Sequence, residues 1–328
     1  MAIIAIMGTG AFGTALANVF ADSNHTVKMY GIDDLQIKDI NKKNINSSFF
    51  GNLKLNPTIS ASNDIATTLE DAEYIIFSVP TQFIKSIAEQ INEHLKTPAI
   101  FVNSSKGLDP ETDELFSKML EKWIKPSLNK GISAIYGPSI AVEVIEKSPT
   151  CLMAASKKIK IAKQVKDLFD TDYFVVRETD DIVGCELGAA LKNVIAIASG
   201  ISEAINKADN THACIITMGL NEMAELALKY GAKKETFINY AFLADLLLTA
   251  NSNKSRNFSL GYKIGKSDNA EKVMSKYTKT TEGVTTSKTV YKIMQKLKME
   301  LPLITAVYKI LYENEKPSLA LNNILLKS

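Results

Sequence analysis

The segment GAALKNVIAIASG, residues 188–200, sets Lys192 and Asn193 in the middle of a small, apolar stretch. An ammonium and an amide are costly in such surroundings unless something satisfies them. Burial also lowers the pKa of a lysine, and a lysine brought toward neutrality can exchange protons with a substrate. Further polar signatures could complete such a centre. Lys106 follows an apolar run in SSKGLD, and Gly137 and Ser139 end another in YGPSIAVEV. Asp245 and Thr249 stand one helical turn apart and so share a face. Ser255, Arg256 and Asn257 then offer a hydroxyl, a guanidinium and an amide, a donor set suited to a small phosphate. Taken singly, each has an ordinary explanation: a surface lysine, an ion-paired arginine, a satisfied structural acid. The joint pattern points to acid–base work on a small ligand. Histidine is not expected to handle the proton. His25 and His94 read as surface residues, and His212, in DNTHA, is not expected at the site.

A second constellation opens the chain. IIAIMGTGAFGTALA holds Gly8, Gly10 and Gly13 as G-x-G-x-x-G, directly after an apolar run and at the start of a helical one. That context makes it a dinucleotide-binding turn. Gly8 forms the tight turn, Gly10 admits the pyrophosphate and Gly13 allows close helix–strand packing. The helix then offers free N–H groups to the phosphates. After the next strand comes YGIDD, where Asp33 or Asp34 can bond a ribose 2′-hydroxyl and would repel a 2′-phosphate. No arginine follows to pair with one, so NAD is expected over NADP. GYKIGKS, residues 261–267, imitates a phosphate-binding loop but has three residues between its glycines where that motif has four, and no strand precedes it.

These side chains need a frame. Apolar runs at 3–7, 25–31, 74–79, 99–104, 133–137, 150–155 and 173–180 alternate with amphipathic helical patterns, which indicates a mostly parallel sheet covered on both faces. Beyond about residue 180 every pattern is helical. The fold class expected is α/β, with a doubly wound sheet over residues 1–180 and an all-helical domain over 181–328. The chain has 328 residues, 46% hydrophobic and 23% charged, with a net charge of +2, which disfavours nucleic acid as the main partner. Three scattered cysteines suggest a reduced, cytoplasmic protein with no metal site, and no uninterrupted apolar run suggests a membrane span.

The sequence resembles NAD(P)-dependent glycerol-3-phosphate dehydrogenase of the bacterial type over nearly its whole length. GTGAFGTALA, SVPTQ, SKGL, GPSIAVE, GAALKNVIAIASGI, DNTHACIITMGLNEM, ADLLLT, SRN, TEGV and LPLITAVYKIL carry the likeness, in that order. The resemblance implies a Rossmann domain followed by a helical domain like that of 6-phosphogluconate dehydrogenase, usually as a homodimer. It implies reversible reduction of dihydroxyacetone phosphate to sn-glycerol 3-phosphate for phospholipid synthesis. Lys192 then matches the proton-transferring lysine, and Lys106 a lysine touching substrate and cofactor. Gly137, Ser139, Asp245, Ser255, Arg256 and Asn257 match substrate positions, and Asn193 is either a second substrate contact or a residue that steadies the site. Ala11, Phe12, Ala141, Arg256 and Glu282 match cofactor positions. The sequence departs from the pattern at Ile32, where members often carry arginine, at Thr280, where valine is usual, and at Met218. The rival readings are a sister dehydrogenase acting on another hydroxy acid and a non-catalytic NAD-binding regulator.

Overall fold

A computed structural model describes residues 1–109, 111–279 and 281–327; Thr280 therefore lies outside the described residues. The chain divides into two compact units, one of Met1–Ser105 and Phe116–Ile182, the other of Lys106–Leu115 and Val183–Ser328.

Among the described residues the first unit is built on eight strands: β1 (Ile3–Met7), β2 (Thr26–Tyr30), β3 (Ser60–Ser62), β4 (Tyr74–Phe77), β5 (Ala99–Asn103), β6 (Asn129–Tyr136), β7 (Thr150–Ala155) and β8 (Phe174–Thr179). They lie in the order β3-β2-β1-β4-β5-β6-β7-β8. All neighbours run parallel except β6 and β7. β5, AIFVN, is buried at every position because helices cover both of its faces. β8 at the edge alternates buried and exposed over its first four residues. The order reverses between β1 and β4, and the Gly8 turn follows β1 at that point.

β3 has no apolar run, which is why its sequence does not announce it. It is held by β2 on one side and, on the other, by a side chain standing in for a strand. Asn41 Nδ2 donates to Ala61 O at 2.7 Å, and Ala61 N donates to Asn41 Oδ1 at 2.8 Å. The free edge of the sheet is thereby closed to further pairing. His25, expected at the surface, is half-buried and fastens two segments: Ala2 N donates to its Nδ1, and its Nε2 donates to Leu168 O, each at 3.0 Å.

In the second unit no strand occurs among the described residues. Its axis is the helix Ile182–Asn206, whose residues 185–200 are all buried. By length and composition this helix could cross a membrane, yet 94% of its most apolar window lies inside the protein. A helix apolar on all sides belongs at the centre of a bundle. Around it stand Asp209–Lys229, Asp245–Asn251, Arg256–Ser267, Glu282–Leu297, Pro302–Tyr312 and Pro317–Lys327. Buried Glu222 ties two of these together: its carboxylate accepts from Leu303 N at 2.7 Å and Ile304 N at 2.9 Å. The NEM and LPLI segments are thus the two halves of one helix cap.

GYKIGKS lies inside the helix Arg256–Ser267, and its glycines serve packing. A Cβ on Gly261 would come 2.1 Å from Ile197 O, and one on Gly265 would come 2.5 Å from Ile201 O. Facing them, a Cβ on Gly200 would come 2.1 Å from Phe258 O. The two helices cross at backbone contact, which only glycine allows. Gly261→Ala should therefore destabilise the protein by about 1–3 kcal/mol, despite the better helix propensity of alanine, and lower Tm by roughly 2–4 °C per kcal/mol. A Tm equal to or above that of the wild type would contradict this account.

Candidate functional site

In the first unit, a candidate nucleotide site rests on the turn after β1. Gly8 has φ +119°, and a Cβ there would lie 2.4 Å from Ser78 O at the end of β4. A Cβ on Gly13 would lie 2.5 Å from Gly8 O. Both glycines are thus required by the protein's own packing. Gly10 is not. It has ordinary extended geometry, and a Cβ there would meet nothing within 4 Å. Its lack of a side chain is explained by something that approaches from outside, as a pyrophosphate does. Gly10 caps the helix Ala11–Asp22 without a side-chain bond, and the first turn, with Ala11 and Phe12, carries no acid. The residues present therefore fit a dinucleotide.

Flanking residues brace this turn in a way the motif does not advertise. Asn46 Nδ2 donates to Thr9 O at 2.9 Å and to Thr14 Oγ1 at 3.0 Å, and Thr14 Oγ1 donates to Thr9 O at 3.2 Å. Asp33 caps its own helix, accepting from Leu35 N at 2.9 Å and Gln36 N at 3.0 Å, and Gln36 Nε2 reaches its second oxygen at 3.1 Å. Ile32 beside it is 85% exposed. After β6, Gly137 has φ +156°, and Ser139 Oγ donates back to Gly137 O at 3.1 Å. Ala141 then begins a short helix, Ala141–Ile145.

The second unit gathers the charged residues. Asp245, 1% exposed, receives two ammonium groups: Lys192 Nζ donates to its Oδ1 at 2.5 Å and Lys106 Nζ to its Oδ2 at 3.0 Å. Thr249 Oγ1 accepts from Lys192 Nζ at 2.8 Å and donates to Asp245 O at 2.6 Å. The KGL signature is thereby explained. Lys106 points to Asp245, Gly107 turns the chain with φ +138°, and Leu108 is buried in the core of the helical unit.

Adjacent residues on a helix diverge by about 100°, so Asn193 faces a different neighbour from Lys192. Asn193 Oδ1 accepts from Asn257 Nδ2 at 3.0 Å, and Asn193 Nδ2 donates to Glu282 Oε2 at 3.1 Å. Asn257 Oδ1 accepts from Gly283 N at 2.9 Å. This amide chain ties together the starts of the helices Arg256–Ser267 and Glu282–Leu297. Ser255 caps the former, its Oγ accepting from Phe258 N at 3.2 Å. Arg256 Nη2 lies 4.0 Å from Glu282 Oε1 with 56% of its side chain exposed, a loose pair worth little to stability.

Two cations on one buried anion leave an excess positive charge. Burial pulls Lys192 down, Asp245 draws it back up and Lys106 presses it down again; it settles at about 7. For Lys106 burial also works downward, but the charge and hydrogen bond of Asp245 prevail and hold it above the usual lysine value. Lys192 is therefore the member able to trade a proton near neutrality.

Family profiles described as the NAD-dependent glycerol-3-phosphate dehydrogenase N-terminus and C-terminus match residues 3–162 and 181–322. A glycerol-3-phosphate dehydrogenase (NAD(P)+) of Mesoplasma florum is 46% identical, the match covering 98% of this chain and 96% of that protein. One from Staphylococcus saprophyticus is 39% identical over 96% of this chain and 95% of its own. The crystal structure of the Coxiella burnetii glycerol-3-phosphate dehydrogenase superposes with a TM-score of 0.89 at 30% identity, covering 98% of each chain. Fold and likeness define the class first: an oxidoreductase that works with a nicotinamide dinucleotide. Within that class, the chain belongs to the NAD-dependent glycerol-3-phosphate dehydrogenase family.

Removing the bridging anion tests the electrostatics. In Asp245→Asn, Lys192 falls further below the ordinary lysine value of about 10.4. At pH 6 the wild type keeps Lys192 charged against Asp245, while at pH 9 neither folded form carries that charge. The variant should lose about 3–5 kcal/mol at pH 6 and distinctly less at pH 9, read from urea unfolding at both values. Equal losses would rule the charge account out.

Proposed function

We propose that the protein interconverts dihydroxyacetone phosphate and sn-glycerol 3-phosphate, with Lys192 as the acid–base group. The observation that carries this reading is the pair of lysines held by buried Asp245, with Lys192 brought to about 7. An ammonium has three hydrogens. Asp245 and Thr249 take two of those on Lys192, so one remains for a carbonyl oxygen. The neutral amine has two hydrogens and a lone pair. The same two partners then hold the hydrogens, and the lone pair accepts a proton from a hydroxyl. One arrangement of neighbours therefore serves both directions.

When bound, the nicotinamide supplies the hydride that reaches the carbonyl carbon. Lys192 gives the proton to the carbonyl oxygen, and Lys106 adds positive charge beside the oxygen as it becomes an alkoxide. Ser255, Arg256 and Asn257 begin a helix, and this end is assigned to the substrate phosphate. Gly137 and Ser139 are assigned to the substrate. The Gly8–Gly13 turn, with Ala11, Phe12, Asp33, Ala141 and Glu282, is assigned to the cofactor. In this reading Asn193 steadies the site through its amide chain. Residues 1–180 serve the dinucleotide and 181–328 the substrate, with Lys106–Leu115 joining the latter. Family likeness supports a cytoplasmic homodimer that supplies glycerol 3-phosphate for phospholipid synthesis.

Lys192→Ala should lower kcat for dihydroxyacetone phosphate by about 10²–10⁴-fold while NADH still binds. In the wild type, reduction needs the charged lysine, so its rate should fall as pH rises through about 7, and oxidation should rise through the same point. Near-normal turnover of the variant, followed by NADH absorbance, overturns the assignment. NAD is proposed over NADP because Asp33 and exposed Ile32 stand after β2 with no arginine. Higher kcat/KM with NADH than with NADPH is the expected outcome, and the reverse order refutes it.

A further inference from the structure

The short helix Asp245–Asn251 presents both Asp245 and Thr249 to Lys192, yet a π-helical turn, Tyr240–Ala244, leads into it. The π turn is anchored by Asn239, whose Oδ1 accepts from Ala241 N and Phe242 N, and by fully buried Phe242. The far end of the short helix is held by a separate set of groups. Ser199 lies two turns beyond Lys192 on the central helix, fully buried, and its Oγ donates to Ala250 O at 2.9 Å. Asn251 Nδ2 donates to Leu247 O at 2.8 Å, which turns Asn251 Oδ1 toward His212. His212 Nε2 lies 2.7 Å from that oxygen and donates to it. On its other side His212 Nδ1 is 3.4 Å from Ser199 Oγ and 4.0 Å from Glu203 Oε2.

We propose that His212 is a positioning residue for the proton-transfer centre. It clamps the C-terminal end of the helix Asp245–Asn251 and so fixes the distance from Asp245 and Thr249 to Lys192. The clamp needs a hydrogen on Nε2, which the acceptor Asn251 Oδ1 favours over the other tautomer. The ring touches no reacting group; it acts through Asn251 and the helix. The inference rests on the reading of Lys192 as the acid–base group only where activity is the readout, and the experiment includes one readout free of that reading.

His212→Leu removes the donor at similar bulk, and His212→Gln restores an N–H donor. With His212→Leu we expect kcat to fall about tenfold, with KM for NADH within about twofold of the wild type. His212→Gln should recover most of that loss. The second readout is the titration of Lys192 itself, monitored by NMR at the Cε of protein biosynthetically labelled with ¹³C-lysine, with Lys192→Arg used to assign the signal. In His212→Leu, Asp245 acts on Lys192 from farther away, so the titration should move to lower pH. It should return with His212→Gln. A Tm loss in His212→Leu with kcat and the Lys192 titration unchanged would make His212 merely structural and overturn the proposal. So would His212→Gln behaving like His212→Leu in both readouts. A shifted titration with no role for Lys192 in turnover would sustain the clamp and sink the acid–base reading instead.

Discussion

Asp245 carries one negative charge, and two ammonium groups lean on it, that of Lys192 buried and that of Lys106 partly exposed. Removing any one of the three leaves a charge among the others poorly compensated. The arrangement is nevertheless unbalanced by one positive charge. That surplus divides the labour between the lysines: one is held charged, the other is brought near neutrality. It also leaves the centre with a net positive potential. Much of the helical unit can be understood as what is needed to bury this triad. The central helix must be apolar on every side to keep water out, and its glycines let neighbouring helices close on it at backbone distance.

The polar residues beside the triad keep that geometry without adding to its charge. Lys192 and Asn193 look alike in the sequence, two polar residues in one apolar run, but the helix sends them to different neighbours. The lysine meets a carboxylate and a hydroxyl. The asparagine joins an amide chain that holds the starts of two other helices. A buried amide with both ends satisfied is rigid and specific, because any shift leaves a donor or an acceptor unpaired.

The sheet was largely legible because parallel strands buried on both faces are continuous apolar runs, as in AIFVN and YIIF. β3 was not, since its three residues are held by a neighbouring strand and by the Asn41 side chain rather than by their own apolarity. The glycine turn was legible from its context, but the separation of roles within it shows only in the fold: a Cβ on Gly8 or Gly13 would meet the protein's own atoms, and one on Gly10 would meet none among the described residues. Residue types singled out Lys106, Lys192, Asp245 and Thr249, which the structure brings together. They could not say that one carboxylate serves both lysines, which depends on a meeting across 139 positions of chain between Lys106 and Asp245. His25 read as a surface residue because nothing in its neighbours signals the backbone groups that meet its ring.

The excursion of Lys106–Leu115 into the helical unit has an evolutionary meaning. One lysine of the triad is encoded within the sheet-forming half of the gene, flanked on both sides by sequence that folds elsewhere. A cut near residue 180 would yield a sheet fragment whose Leu108 and Leu115 have lost their apolar surroundings, and a helical fragment missing one of its cations. The helical unit is therefore not encoded as one continuous stretch of the gene. Moving the whole of it into another protein takes breaks on either side of these ten residues as well as one near residue 182.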